Sequence, residues 1–155
     1  MQPDAIPDAA VVRSQPGGIP DPEAALKPDI YRHPNGFDVK VFDPSRPERR
    51  VGNLSIDYSS HGAAIVKAVD VDEGYQRRGI ARRLYEAAKA ELKRRGIKVL
   101  KGSLEGSGPV QIREQVFGPG NTTYLHGGEP ISPEKAIKVM DVDYGYVRAE
   151  TRITQ

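Results

Sequence analysis

From Phe37 the chain alternates apolar and polar residues with a period of two. The runs are "FDVKVF" and, after the turn-rich "DPSRPERR", "VGNLSIDY". The turn "SSHG" leads into a third extended run, "AAIVKAVDV" from Ala63. Strands in such close succession predict an antiparallel meander. The period then becomes helical. Between Gly79 and Arg95, Ile80, Leu84, Ala87, Ala88 and Leu92 fall on one stripe, Arg and Lys fill the other face, and Gly96 is the terminator. "IKVL" reads as a central strand, because it is almost all apolar or β-branched. Strand, helix and strand in this order predict a right-handed crossover and a parallel pairing.

The remaining pattern is weaker. "PVQIREQVF" reads as a short helix and "GPGNTTYLHGG" as a glycine-rich connection. "SPEKAIKVM" opens as helices do, with Ser132 as N-cap and Pro133 at the first helical position. "DYGYVRAETRI" closes the chain as a strand. Seven of the thirteen prolines lie in residues 1–34, where large apolar residues are few. Residues 1–35 are therefore expected to be an extended or disordered arm with at most a helical turn at "PEAAL", and residues 36–155 a folded domain. The fold class expected is α/β (α+β), with a mixed, mostly antiparallel central sheet.

Composition narrows the chemistry. The 155 residues include no cysteine, which excludes disulfides, thiolate catalysis and Cys-based metal sites. His33, His61 and His126 are scattered, so no metal site is expected. No apolar run is long enough to span a membrane, and "MQPDAIPDAA" lacks the form of a secretion signal, so a cytoplasmic location is expected. The net charge of +2 hides an asymmetry: residues 76–101 hold ten Lys or Arg against Glu86 and Glu91. An anionic ligand, a polyanion or a solvated helix face would each account for that block.

Arg77, Arg78, Arg82 and Arg83 crowd the start of the main helix, where Asp or Glu would ordinarily complement the unpaired N–H groups and the macrodipole. A glycine at such a start lets a ligand approach the backbone, and arginines add charge-assisted contacts, as for a pyrophosphate. The alternative is that Asp72 and Glu73 satisfy the turn from outside. Neither a Walker loop nor a GxGxxG fingerprint is present. The letters of 67–77 nearly recur at 138–148, with seven identities in eleven positions, too short for a repeat.

"VDEGYQRRGIARRLYEAAKAELKRRGIKVL" resembles the core of the Gcn5-related N-acetyltransferase superfamily. That superfamily carries an Arg/Gln-x-x-Gly-x-Gly/Ala signature at the start of its main helix, matched by Gln76, Gly79 and Ala81. The resemblance covers about residues 63–102. It implies a GNAT-like β-α-β core and transfer of an acetyl group from acetyl-CoA to an amine acceptor, small molecule or protein, by direct attack. It also implies that the backbone of Val69 and Val71 pairs with the pantetheine arm. The pyrophosphate would lie over Arg77, Arg78, Gly79, Ile80 and Ala81, with Arg82 adding charge. N–H near Val71 would polarise the thioester carbonyl.

Two departures from the family pattern bear on function. The stretch "GSGPVQIREQVFGPG" lacks the tyrosine that often serves as the acid, which leaves Tyr124, just downstream, or Ser107. Asp70 beside the proposed cofactor strand is the candidate base, with His61 and Glu73 as alternatives. The two helices that the family places between its first and second strands are reduced or absent, so a homodimer or a partner docked through the N-terminal arm is a way to complete the acceptor wall. One alternative reading is a catalytically degenerate module that binds CoA or a protein partner. Another is nucleic-acid binding, against which only Tyr85 interleaves the arginines and no recognised motif appears.

Overall fold

The computed structural model describes residues 26–104 and 107–154. Most of the expected arm, including the start of "PEAAL", lies outside them. Four strands open the described chain: β1 (Asp29–His33), β2 (Gly36–Asp43), β3 (Arg46–Tyr58) and β4 (Ala63–Val71). A 3-10 turn at Glu73–Tyr75 leads to α1 (Ile80–Arg94), β5 (Val99–Leu104) and α2 (Ser107–Phe117). The chain ends with β6 (Thr122–His126), β7 (Glu129–Ile131), α3 (Pro133–Asp141) and β8 (Val147–Arg152). All eight strands form one sheet in the order β1-β2-β3-β4-β5-β8-β6-β7, antiparallel except for β4 with β5.

The meander and the parallel crossover match the sequence pattern; β3 departs from it by starting at Arg46, inside the stretch read as turn-rich, and two further features depart as well. β1 falls at the end of the expected arm, pairs with β2 through a register of Asp29 with Lys40 to His33 with Gly36, and is joined to β2 by residues 34–35 alone. No helix separates these two strands. The glycine-rich connection contains β6, which pairs with β8 and brings Tyr124 into the core.

The three helices pack on one face of the sheet. Along β3 that face is Gly52, Leu54 and Ile56; across β2 it is Val41, Val39 and Phe37. Ile80, Leu84 and Leu92 of α1 are at most 1% exposed against it, so Leu84→Ala would cost about 2–5 kcal/mol. Gly52 allows the close approach: a Cβ there would lie 2.9 Å from Cγ2 of Ile80. The start of α1 is thereby pressed against the end of β4. A second core, with Tyr124, Ala136, Val139, Val147 and Ala149, lies under α2 and α3. The opposite sheet face presents Asp38, Lys40, Ser55, Asp57, Lys101, Arg148 and Glu150, and among the described residues no helix covers it. Among those residues no helix is long and apolar enough to cross a membrane.

Candidate functional site

β4 and β5 pair at only three positions, Ala63 with Val99, Ala64 with Leu100 and Ile65 with Lys101. Beyond Ile65 the strands part, although β4 runs on to Val71 and β5 to Leu104. The result is an open cleft of about 1130 Å³ through the sheet. β4 forms one wall with residues 66–71, β5 contributes Ser103 and Leu104, α2 contributes Pro109, Ile112 and Gln115, and the start of α1 closes one end.

On its other side β4 remains paired with β3. Asp72 N–H donates to Val51 O at 2.8 Å. Alternation in an antiparallel ladder then turns the backbone of Asp70 toward β3, and that of Val69 and Val71 toward the cleft. The side chain of Gln76 caps this edge, its Nε2 donating to Val71 O at 3.1 Å. Val69 is 39% exposed, unusual for a valine within a sheet, because the partner strand has left.

Among the described residues, no side chain caps the start of α1. Its N-cap, Gly79, lies in the left-handed region with φ 77°, makes no side-chain cap bond, and is followed by no acid in the first turn. The first bond back into the helix is Arg83 N–H to Gly79 O. The amides of Ile80, Ala81 and Arg82 precede the first residue able to bond back and point out of the helix end. Arg77 also has positive φ, 64°, so two left-handed residues, Arg77 and Gly79, flank the turn into α1. Asp72 does not cap the turn; its carboxylate pairs with Arg49 at 3.3 Å. Arg77, Gly79, Ile80, Ala81 and Arg82 all line the cleft.

Arg78 points elsewhere. Its guanidinium lies 5.1 Å from the ring centre of Tyr75, and that of Arg49 lies 5.8 Å from the same ring. The Tyr75 hydroxyl donates to Asp43 Oδ2. That bond, with further bonds from Ser45, holds the Asp43 carboxyl down at about 2 and pushes the Tyr75 phenol up. Tyr75 thus ties the basic turn to the end of β2, a role the sequence did not suggest.

The structure separates the expected catalytic pair. Asp70 lines the cleft, opposite Asn53 in the β3 register and therefore on the sheet face away from the helices; Arg50 lies 4.0 Å from its carboxylate. Asn53 itself is buried with Oδ1 lacking a partner. Tyr124, the expected acid, lies apart from Asp70. It is 0% exposed, lies outside the cleft lining, and donates to Glu114 Oε2 at 2.7 Å. Burial first, and then that bond, push its phenol well above the ordinary value. It braces β6 to α2. His61 is exposed in the β3–β4 turn, bonded to Ser60 Oγ, and Glu73 is exposed in the 3-10 turn; neither lines the cleft.

One cleft residue and one buried beside it escaped sequence reasoning. Tyr85 of α1 is 3% exposed and lines the cleft. Arg113 of α2 is 0% exposed, with its guanidinium 6.0 Å from the ring centre of Tyr85. The signal for Arg113 was its place on the apolar stripe of α2, at helical spacing with Val110 and Phe117. No group of three or more His, Asp or Glu able to hold a metal occurs among the described residues.

The model of the acetyltransferase (GNAT) family matches residues 22–105. Among solved structures, the ribosomal-protein-S18-alanine N-acetyltransferase from Escherichia coli is similar at 16% identity and TM-score 0.56, covering 80% of this chain and 73% of its own. An acetyltransferase of the GNAT family from Staphylococcus aureus Mu50 is similar at 13% identity and TM-score 0.53, covering 77% and 69%. A Bacillus subtilis acetyltransferase in complex with CoA is similar at 9% identity and TM-score 0.56, covering 83% and 99%. No curated protein matches the sequence.

Proposed function

We propose that this chain, which belongs to the acetyltransferase (GNAT) family, transfers an acetyl group from acetyl-CoA to an amine acceptor by direct attack. The observation that carries the reading is the uncapped start of α1 beside the open edge of β4. A diphosphate bridge suits the amides of Ile80 to Arg82, with Arg77 and Arg82 supplying charge. An extended amide-containing arm suits the backbone of Val69 and the N–H of Val71, as a strand would; Val71 O is already bonded to Gln76. One of the similar folds was solved with CoA, which agrees with that choice of ligand.

Coenzyme A supplies the activated thioester; the chain positions it and manages protons. Arms held along the β4 edge would set the thioester at the split, where a β4 N–H stabilises the developing oxyanion. Holding thioester and amine together supplies much of the rate. The basic turn lies at the helix-covered side and Asp70 on the bare side, so the acceptor enters from the bare face. There Asp70 takes the proton from the attacking nitrogen. The two-residue β1–β2 turn leaves that face open, which suits an acceptor larger than a free amino acid, or a second chain that completes the wall.

The absence of a tyrosine on α2 favours a second reading, a CoA-binding module without turnover. Calorimetric titration of acetyl-CoA, followed by thiol release with a panel of small amines and of peptides bearing free N-termini or lysines, separates the two. Binding with amine-dependent thiol release supports the transferase. Binding with no release by any amine supports the module, and no binding at all sinks both.

A further inference from the structure

The cleft mouth on the bare face carries an excess of positive charge. Among the described residues that line the cleft, Asp70 is the one acid, and Lys67 stands three residues before it on the same wall. The register of β3 with β4 steps from Ile56 with Val66 to Ser55 with Ala68, which leaves Lys67 as the extra residue of a bulge. In a bulge two residues oppose one, so Lys67 joins Ala68 opposite Ser55 on the bare face instead of alternating to the helix side. Asp70 shares that face, and three residues of strand set the two about 10 Å apart.

Two further cations belong to the same end of the face. Arg50 Nη2 lies 4.0 Å from Asp70 Oδ2. Across the cleft, Arg148 stands opposite Ser103 in the β5–β8 register, and Ser103 lines the β5 wall. A 2.5 Å bond between Ser103 Oγ and the Tyr146 hydroxyl ties that wall to the chain just before Arg148. Among the described residues no acid pairs with Lys67 or Arg148. Other bare-face acids lie toward the closed end or farther across the sheet: Asp57 is opposite Ile65, where β4 and β5 still pair, Glu150 is opposite Lys101, and Asp38 is two strands from β4.

An ammonium brought to Asp70 therefore arrives between cations, which repel an acceptor that is positive throughout. Carboxylates close to the acceptor amine answer those cations. An extended chain covers about 10 Å in three residues, the distance from Asp70 to Lys67. A carboxylate is a weak base, and an α-ammonium, with an ordinary pKa of about 8 against about 10.4 for lysine, yields its proton to one more readily.

We propose that the acceptor is the N-terminal α-amine of a polypeptide with Asp or Glu among its next three residues. Asp70 receives the amine, and Lys67 and Arg148 receive the carboxylates. The inference rests on the acetyl-transfer reading above and names its acceptor. Two protons leave nitrogen as the C–N bond forms and the C–S bond breaks. Asp70 takes one and releases it to solvent; the other passes through solvent to the departing sulfur, which carries the electron pair, and gives the free thiol.

The test measures thiol release from acetyl-CoA with two lysine-free hexapeptides that differ only at their second and third residues, glutamate in one and arginine in the other. Hydroxylamine serves as a nucleophile that needs no built acceptor seat. The wild type is expected to favour the glutamate peptide about tenfold or more in kcat/KM at low salt, with the gap narrowing at high salt. Lys67→Gln and Arg148→Gln are each expected to narrow the gap, and Lys67→Glu combined with Arg148→Glu to reverse it. The ratio is read on one protein at a time, so altered folding or cofactor affinity cancels from it. A wild type that releases thiol with neither hydroxylamine nor peptide overturns the transferase reading and this inference together. Release with hydroxylamine but with neither peptide, equal rates for the two peptides, or a faster arginine peptide overturns this inference alone. So does free glutamate acting as well as the glutamate peptide, or a preference that all three variants leave unchanged.

Discussion

Gly79 offers the sharpest test of the uncapped helix start. Its φ of 77° is a conformation that Asn and Asp enter more readily than other side chains. Gly79→Asn and Gly79→Asp are therefore nearly isosteric, share the same backbone strain, and differ by one negative charge beside the Ile80–Arg82 amides. A phosphate seated on those amides would lie about 5 Å from that charge. At an effective dielectric of about 20, one unit charge against another at that distance is worth about 3 kcal/mol. The Asp variant should then bind acetyl-CoA about 100-fold more weakly than the Asn variant. The gap should narrow at high salt. Thermal melting of the ligand-free proteins supplies the control, because the Asp carboxylate favours a positive helix end and should not lower Tm below that of Asn. Calorimetry at low and high salt reads both quantities. Equal affinities for the two variants would refute an anion site at this helix start, whatever the fold.

Asp70→Asn keeps the shape of the bare-face carboxylate but removes its basicity; kcat/KM should fall about 100-fold or more with Kd for acetyl-CoA unchanged, and recover in part at high pH as the amine ionises unaided. Tyr124→Phe removes the bond to Glu114 and should cost about 1–2 kcal/mol, lowering Tm by about 2–6 °C while kcat stays at wild type; a proton-donor role for Tyr124 requires the reverse. Glu91 is buried on α1 and accepts from both Arg94 and Arg32, which hold its carboxyl down at about 2 from an ordinary 4.5. Its folded value is depressed, so its stabilisation is complete above pH 4.5 and fades as pH falls toward 2. Because both guanidiniums are about half exposed, Glu91→Gln should cost only about 1–2 kcal/mol at neutral pH. Melting curves should show a flatter acid limb for Glu91→Gln than for wild type, and superimposable limbs would remove the pair from the stability of the β1–α1 contact.

The periodic segments and the basic turn were legible in the chain because their causes are local. Alternation marked β2 and β3, an extended run after a turn marked β4, the stripe from Ile80 to Leu92 marked α1, and four arginines without an acid marked the basic helix start. Ser132 caps α3 through a 3.1 Å bond from Lys135 N–H, as its spacing implied. Local pattern fails where a side chain's meaning depends on a distant partner. Glu91 reads as one more charge on the polar face of a helix, yet it is buried because Arg32 arrives from β1, 59 residues away. Arg113 reads as a surface cation and is sealed under the sheet; Tyr124 reads as a free phenol near a glycine loop and is locked to Glu114.

The near-identical letters at 67–77 and 138–148 make the division plain. Lys67–Val71 is strand because β3 supplies its hydrogen-bond partners, whereas Lys138–Asp141 ends a helix that Ser132 and Pro133 began. The sequence by itself determined the meander, the amphipathic helix and its uncapped, arginine-rich start, since spacing along the chain carries those. Only the tertiary structure decided that β4 and β5 part after Ile65, that Asp70 and Tyr85 face opposite sides of the opening, and that one sheet face stays bare. Those are matters of pairing between strands and of which face a helix covers, and neither is written in the order of residues within one segment.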